Sequence, residues 1–338
     1  MHHKFLVTKW RSPTLWFLPA ALLLTACNFV GYKSYNGKTM GTYYRIVADC
    51  QVAPSQSQIE EVLGSVDAVM SNYREDSIVE VFNRYQVGSW FTVDESLVYV
   101  ATVAHQVSEL TSGAFDITVK PLVDAWGFGP PGATDKPTDE NIQTLLEKVD
   151  YQGLEIRDDP PGLLKKQPLT IDLSGIAKGY GVDMLAELLD QSGCENYLAE
   201  IGGELRVKGV NQMGRAWEIG IESPLIPGLI QERISISHGA LATTGDYRNY
   251  LDYEGVIYPH VLDAKSGSPV EHMGASVTVH MRTATEADSY ATALYALGEA
   301  GLQLAEENDI AALFQHLDGR TGRLEQRATS KMKKILDD

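Results

Sequence analysis

Apolar positions along the chain recur with two periods. Between Ser57 and Tyr73, the residues Ile59, Val62, Leu63, Val66, Val69 and Met70 share one face at three-to-four spacing, which predicts a helix. Ser57 with Glu60 supplies a capping box at its start. Leu97, Val100, Val103, Ala104 and Val107 make a second helical stripe over 95–111, ended by Gly113. Asp139 to Val149, Lys178 to Gln191 and Thr285 to Leu297 read as further helices. The other pattern is β-rich: Thr42 to Val47, a short apolar strand from Leu169 to Leu173, then strands at Leu205–Val210, Trp217–Ile221, Arg233–Ser237, Val256–Leu262 and Ser276–His280. Residues 310–328 read as a closing hairpin, and Pro130 to Pro137 as a loop. The result is an α+β chain without repeats and without a composition break, hence one domain.

The N-terminus breaks this pattern. Lys4, Lys9 and Arg11 precede an apolar run from Leu15 to Leu24, followed by Leu24-Thr25-Ala26-Cys27. A basic start, a short apolar stretch and small residues before a cut describe a secretory signal. The run is shorter than the ~20 residues that span a bilayer. The site ending on Cys27 resembles a bacterial lipobox, so residues 1–26 are read as a lipoprotein signal, 27–37 as a tether and Cys27 as the lipidated residue; a plain signal peptide with an incidental Cys is the alternative. Removing the segment deletes three positive charges and no negative ones, taking the net charge from −17 to −20. A surface this acidic argues against a nucleic-acid partner. Three cysteines are too few for a disulfide framework, and whether Cys50 and Cys194 pair is open at this level.

Five segments carry more than folding requires. Asp172-Leu173-Ser174-Gly175-Ile176-Ala177-Lys178-Gly179-Tyr180 brings an Asp, a small-residue turn and a helix start with a Lys, a combination suited to phosphate or diphosphate. A tight turn needing Gly only for packing is its alternative. In Thr285-Glu286-Ala287-Asp288-Ser289-Tyr290-Ala291-Thr292, Asp288 and Thr292 share a helix face and offer hard oxygen ligands for Mg²⁺ or Ca²⁺. Thr285 as a helix cap with Asp288 at its third position explains the same residues without a metal. His260, in Tyr258-Pro259-His260-Val261-Leu262-Asp263, is a general base or a structural histidine. Gly113-Ala114-Phe115-Asp116-Ile117-Thr118-Val119 offers an aromatic beside an Asp, and Gly239-Ala240-Leu241-Ala242-Thr243-Thr244-Gly245-Asp246-Tyr247-Arg248 a loop able to approach a ligand, with ordinary turns as the alternative for both. His238 and His272 lack the spacing of a zinc site.

The order and content of these segments resemble the ApbE family, the FAD:protein FMN transferases. The resemblance is carried by Met40-Gly41-Thr42-Tyr43, Met70-Ser71-Asn72-Tyr73, Gly113-Ala114-Phe115-Asp116, Trp126-Gly127-Phe128-Gly129 and the 172–180 segment. It continues in Gly202-Gly203-Glu204, Thr244-Gly245-Asp246-Tyr247-Arg248-Asn249-Tyr250, His260-Val261-Leu262-Asp263 with Ser266-Gly267, and Ala287-Asp288 with Ala291-Thr292-Ala293. It implies a single ApbE-like domain over 38–330, of mixed, mostly antiparallel sheet with packed helices, and a tail at 331–338.

The resemblance also implies an activity: transfer of FMN from FAD to a threonine hydroxyl of an acceptor protein through a phosphoester bond, with release of AMP and dependence on Mg²⁺. Met40, Tyr73, Ala114, Phe115, Asp116, Asp172 and Lys178 would contact FAD. Asp288, Thr292 and the carbonyl of Gly175 would hold the metal, and His260 would be the catalytic base. The implied partners are flavin-bearing subunits of membrane redox complexes or exported electron carriers, with the chain lipid-anchored at Cys27 to the bacterial inner membrane and facing the periplasm. A flavin carrier and an FAD pyrophosphatase are the competing functions. Ser174, Val261-Leu262 and Ala264-Lys265 depart from the family pattern.

Overall fold

The structure is a computed structural model that describes residues 31–132, 135–226, 228–245, 250–253, 255–270, 276–318, 321 and 323–337. Cys27, Asp246–Asn249 and His272 lie outside them. Gly31–Asp338 forms one compact unit.

Its centre is an eight-stranded sheet of β1 (Lys33–Thr39), β2 (Thr42–Cys50), β3 (Cys194–Ile201), β4 (Glu204–Lys208), β5 (His238–Gly245), β6 (Ser276–Met281), β7 (Ala311–Leu317) and β8 (Leu324–Ala328), in that spatial order. Every neighbouring pair is antiparallel, so the expectation of a mixed, mostly antiparallel sheet resolves into an antiparallel one. The helices are α1 (Gln56–Met70), α2 (Ile78–Asn83), α3 (Glu95–Leu110), α4 (Lys120–Trp126), α5 (Asp139–Leu146), α6 (Ala177–Gln191), α7 (Ala284–Leu297), α8 (Glu299–Glu307) and α9 (Ser330–Asp337).

The period of two divides each strand between two cores. Ile46 and Ala48, Ala240 and Ala242, and Ala312 and Phe314 face α1, α6 and α7. Val47, Leu241, Ala311 and Leu313 face the other way, against the Trp217–Glu222 and Ile230–Ile236 ladder and Met332 of α9. A second helical core joins the far face of α1 to α2, α3 and the 169–176 segment. A smaller one gathers Leu122, Trp126, Ile142 and Leu262.

Four expectations change. Residues 33–37 are not tether but part of β1, registered against Tyr44–Ala48. The cap of helix α1 lies two residues early because Ser55, after Pro54, forms the capping box with Gln58 in place of Ser57 and Glu60. The 331–338 tail is largely helix α9, pinned by buried Met332. The strand expected over 256–262 stops at Pro259, which has no N–H to continue a ladder. Cys50 and Cys194 are joined by a disulfide across the start of the β2–β3 pairing.

Candidate functional site

The site lies at one end of the sheet, where the β1–β2 and β3–β4 turns meet the starts of α6 and α7. Met40 and Gly41 form the two-residue turn between β1 and β2, with φ of 46° and 71°. A positive φ is uncommon for a side chain as large as Met. It is held there because the Met40 side chain packs into both helical cores. The Gly202-Gly203 turn joins β3 to β4 beside it, its Gly202 N–H donating to the Tyr43 carbonyl at 3.0 Å.

The Leu169–Leu173 segment, expected as a strand, belongs to no sheet. Two buried amides replace the ladder. Asn83 accepts from the Ile171 N–H at 2.7 Å and donates to its carbonyl at 2.9 Å. Asn72 donates to the same carbonyl at 3.0 Å and accepts from the Leu173 N–H at 3.0 Å. Asp172 is thereby delivered to the turn, where its carboxylate accepts from the Ser174 N–H at 2.8 Å. Neither asparagine carries a role in the sequence reading, although Asn72 stands in the Met70–Tyr73 motif that carries the resemblance.

After this turn α6 and α7 approach closely. A Cβ on Gly179 would fall 2.2 Å from the Ala284 carbonyl oxygen, so only glycine fits. Asp183 of α6 ties the start of α7 down, accepting from the N–H groups of Ala284 at 3.0 Å and Thr285 at 2.8 Å. The capping residue of α7 is Thr283, paired with Glu286. Asp288 is therefore not a capping residue: it faces inward, 3% exposed, and accepts from the Gly179 N–H at 2.9 Å. One turn later, Thr292 places its hydroxyl 3.2 Å from that of Thr244. A Cβ on Gly175 would stand 3.5 Å from the Thr292 oxygen and 3.2 Å from the Phe115 ring. Asp288, Thr292, Gly175 and Phe115 are thus brought together from three parts of the chain.

Lys178 reaches the same place. Its ammonium pairs directly with Glu204 and stands 3.9 Å from an Asp288 oxygen. Burial pushes the Asp288 carboxyl above the ordinary carboxylate range, against the opposing pull of Lys178.

Asp116 sits differently from its neighbours. One carboxylate oxygen accepts from the N–H and the hydroxyl of Thr118, both at 2.7 Å, and the other from the Tyr151 N–H at 2.9 Å. Both oxygens are engaged within the chain, and they fix the turn that presents Ala114 and Phe115. Burial raises its carboxyl, while the N–H bonds oppose the rise.

Tyr73 and His260 are linked through Phe128. The Tyr73 hydroxyl donates to the Phe128 carbonyl at 3.2 Å, and the Phe128 ring meets the His260 ring edge-on at 6.5 Å between centroids. Partial burial and the Asp172 carboxylate push the Tyr73 phenol up. After His260, Val261 enters the main core and Leu262 the small one. The ring is thereby fixed at the junction of the two.

The arrangement combines the Lys178 ammonium, carboxylates, hydroxyls and aromatic rings, which suits a phosphate-bearing aromatic ligand. Among the described residues no group of three or more His, Cys, Asp or Glu is placed to hold a metal ion. The set of Asp288, Thr292 and the Gly175 carbonyl contains a single carboxylate. Its hard oxygens and the buried Asp288 fit a Mg²⁺-class cation completed by ligand phosphates.

Known proteins share this architecture. The FAD:protein FMN transferase of Vibrio cholerae serotype O1 is 39% identical over 313 residues, which cover 88% of this chain and 91% of the relative. That of Haemophilus influenzae is 38% identical over 306 residues, covering 86% and 88%. The solved flavin transferase ApbE from Vibrio cholerae superposes with a TM-score of 0.83 at 38% identity, over 90% of this chain and 99% of that one. The apo flavinyl transferase ApbE of Pseudomonas stutzeri gives 0.82 at 34%, over 91% and 97%. The ApbE family model matches residues 40–314. The chain belongs to the ApbE family.

Proposed function

We propose that this protein is a transferase that moves FMN from FAD to a threonine hydroxyl of an acceptor protein, releasing AMP. The observation that carries this reading is the meeting of Lys178, Asp288, Thr292 and Gly175 at the junction of α6 and α7. Family membership supplies the flavin chemistry.

The acceptor hydroxyl oxygen bonds to the phosphorus on the FMN side of the diphosphate. The bond from that phosphorus to the AMP oxygen breaks, and AMP leaves with the electron pair. His260 takes the hydroxyl proton, a contribution of typically 10²–10⁴-fold. Lys178 places positive charge beside the diphosphate, where an anionic dinucleotide would otherwise meet an acidic chain. Phe115 and Tyr73 would offer aromatic surface to the flavin or adenine ring, Met40, Ala114 and Asp172 would be further FAD contacts, and Asp116 would fix the turn that carries Ala114 and Phe115. Asp288, Thr292 and the Gly175 carbonyl would hold a Mg²⁺ ion, which when bound supplies charge neutralisation at the diphosphate.

The expected setting is the periplasmic side of the inner membrane, with Cys27 lipidated and flavin-bearing redox subunits or exported electron carriers as acceptors. A transferase releases AMP faster when acceptor is added. AMP release indifferent to acceptor would favour an FAD pyrophosphatase, and tight FAD retention without AMP a carrier.

A further inference from the structure

Glu204 opens β4 directly after the Gly202-Gly203 turn, and no role given above accounts for it. It is 3% exposed. One carboxylate oxygen is paired with the Lys178 ammonium, while the other, Oε2, is buried and has no hydrogen-bond partner among the described residues. A buried polar oxygen left unsatisfied is costly, and more so when charged. Placing one at the junction of β4, α6 and α7 points to a task beyond packing.

The task follows from the neighbours. Lys178 lies between two carboxylates, in contact with Glu204 and 3.9 Å from Asp288 Oδ1. The other Asp288 oxygen, Oδ2, is occupied by the Gly179 N–H. Oδ1 is therefore the oxygen that Asp288 has to offer a cation. A lysine ammonium on its flexible stem moves to whichever carboxylate suits it best. A displacement of about 1 Å would bring Lys178 into a direct charge-assisted contact with Oδ1.

We infer that Glu204 is a positioning residue: it holds the Lys178 ammonium off Asp288, so that Oδ1 stays open to a divalent cation while the ammonium faces the diphosphate. The three side chains come from β4, α6 and α7. With Glu204 and Asp288 ionised and Lys178 protonated, they sum to one negative charge, which a divalent cation turns into a net positive charge toward the substrate. The inference rests on the proposed cation role of Asp288.

The test uses Mn²⁺ alone, without FAD or acceptor, titrated into the purified full chain and read by calorimetry and by the electron paramagnetic resonance of free Mn²⁺. Glu204→Gln is expected to weaken Mn²⁺ binding by about 10- to 100-fold, the range for residues that support metal ligands. Adding Lys178→Gln to it is expected to restore binding to the level of Lys178→Gln alone, because the competing ammonium is gone. Should Glu204→Gln fail to fold by circular dichroism, Glu204→Asp carries the same logic with a smaller loss, again abolished by Lys178→Gln. Binding unchanged in the Glu204 variant would overturn the inference. So would weak binding that persists after Lys178 is removed, since Glu204 would then act on the cation itself. If the wild type binds Mn²⁺ no better than Asp288→Ala, the cation reading fails and takes the inference with it. Loss in Asp288→Ala with no effect at Glu204 overturns the inference alone.

Discussion

The Asp288 carboxylate accepts a hydrogen bond from the Gly179 N–H at 2.9 Å, joining helices α6 and α7 where they pass too closely for any side chain at position 179. The bond fixes the carboxylate relative to the Gly175–Lys178 turn, so site geometry and helix packing depend on the same contact.

This contact separates two glycines by experiment. In Gly179→Ala the new Cβ meets backbone at 2.2 Å, and the helices must part. The expected loss is about 1–3 kcal/mol or more, as for other overpacked cores, read from the denaturant midpoint. In Gly175→Ala the neighbours are side-chain atoms of Phe115 and Thr292 at 3.2 and 3.4 Å. Stability should fall little there, while transfer activity falls strongly.

Asn83 is predicted to be structural in cause and functional in effect. Asn83→Ala removes both partners that the Ile171 backbone has on that side chain. A loss of roughly 1–3 kcal/mol is expected, because the buried Ile171 N–H is left unsatisfied while its carbonyl keeps Asn72, together with weaker FAD binding because the Asp172 turn loses one of its two anchors. Fluorescence titration of FAD at a temperature where the variant remains folded checks the second part.

These two cases show what the sequence made legible. Helices α1, α3, α5, α6 and α7 and strands β2, β4 and β6 were readable because apolar residues repeat at 3.6 or 2 along them, as at Ile59–Met70 and 276–281, whereas α2, α4 and α8 are short, β3 was missed and β5 was expected as a loop. The family motifs placed Asp288, Thr292, Gly175 and Lys178, which the fold does bring together. Leu169–Leu173 misled because an apolar run fixes burial and not its hydrogen-bond partners; those come from Asn72 and Asn83, roughly a hundred residues away. The capping alternative at Thr285 failed because Thr283 with Glu286 offers the same pattern two residues earlier. The Cys50–Cys194 pairing depends on β2 and β3 lying side by side, which local periodicity does not encode.

The disulfide yields its own prediction. Replacing Cys50 and Cys194 together by alanine should lower stability by about 2–5 kcal/mol. Reduction of the wild type should lower its melting temperature in the same direction. Because the bond lies away from the site residues in sequence and at the opposite end of β2 from the Met40 turn, FAD affinity of the folded double variant should be unchanged.

His280 sets a pH dependence. Its ring is half-buried on β6, beside the His238 carbonyl at 3.2 Å. Burial pushes its pKa below the ordinary histidine value, helped by nearby His238 and Lys331 and opposed by that carbonyl. The unfolded chain then binds the proton more readily than the folded one, so the contribution is full above the ordinary value of about 6.5 and is lost as pH falls through the folded one. The melting temperature should fall between pH 7.5 and 5.5, and His280→Gln should flatten part of that slope.

The central claim is transfer itself. Full-length protein is incubated with FAD, Mg²⁺ and a purified flavin-accepting subunit, and the intact mass of the acceptor is measured. A single FMN adduct on a threonine, formed with wild type and absent with His260→Ala and Asp288→Ala, is the predicted result. An acceptor of unchanged mass beside AMP accumulating at the same rate with or without it would contradict the account.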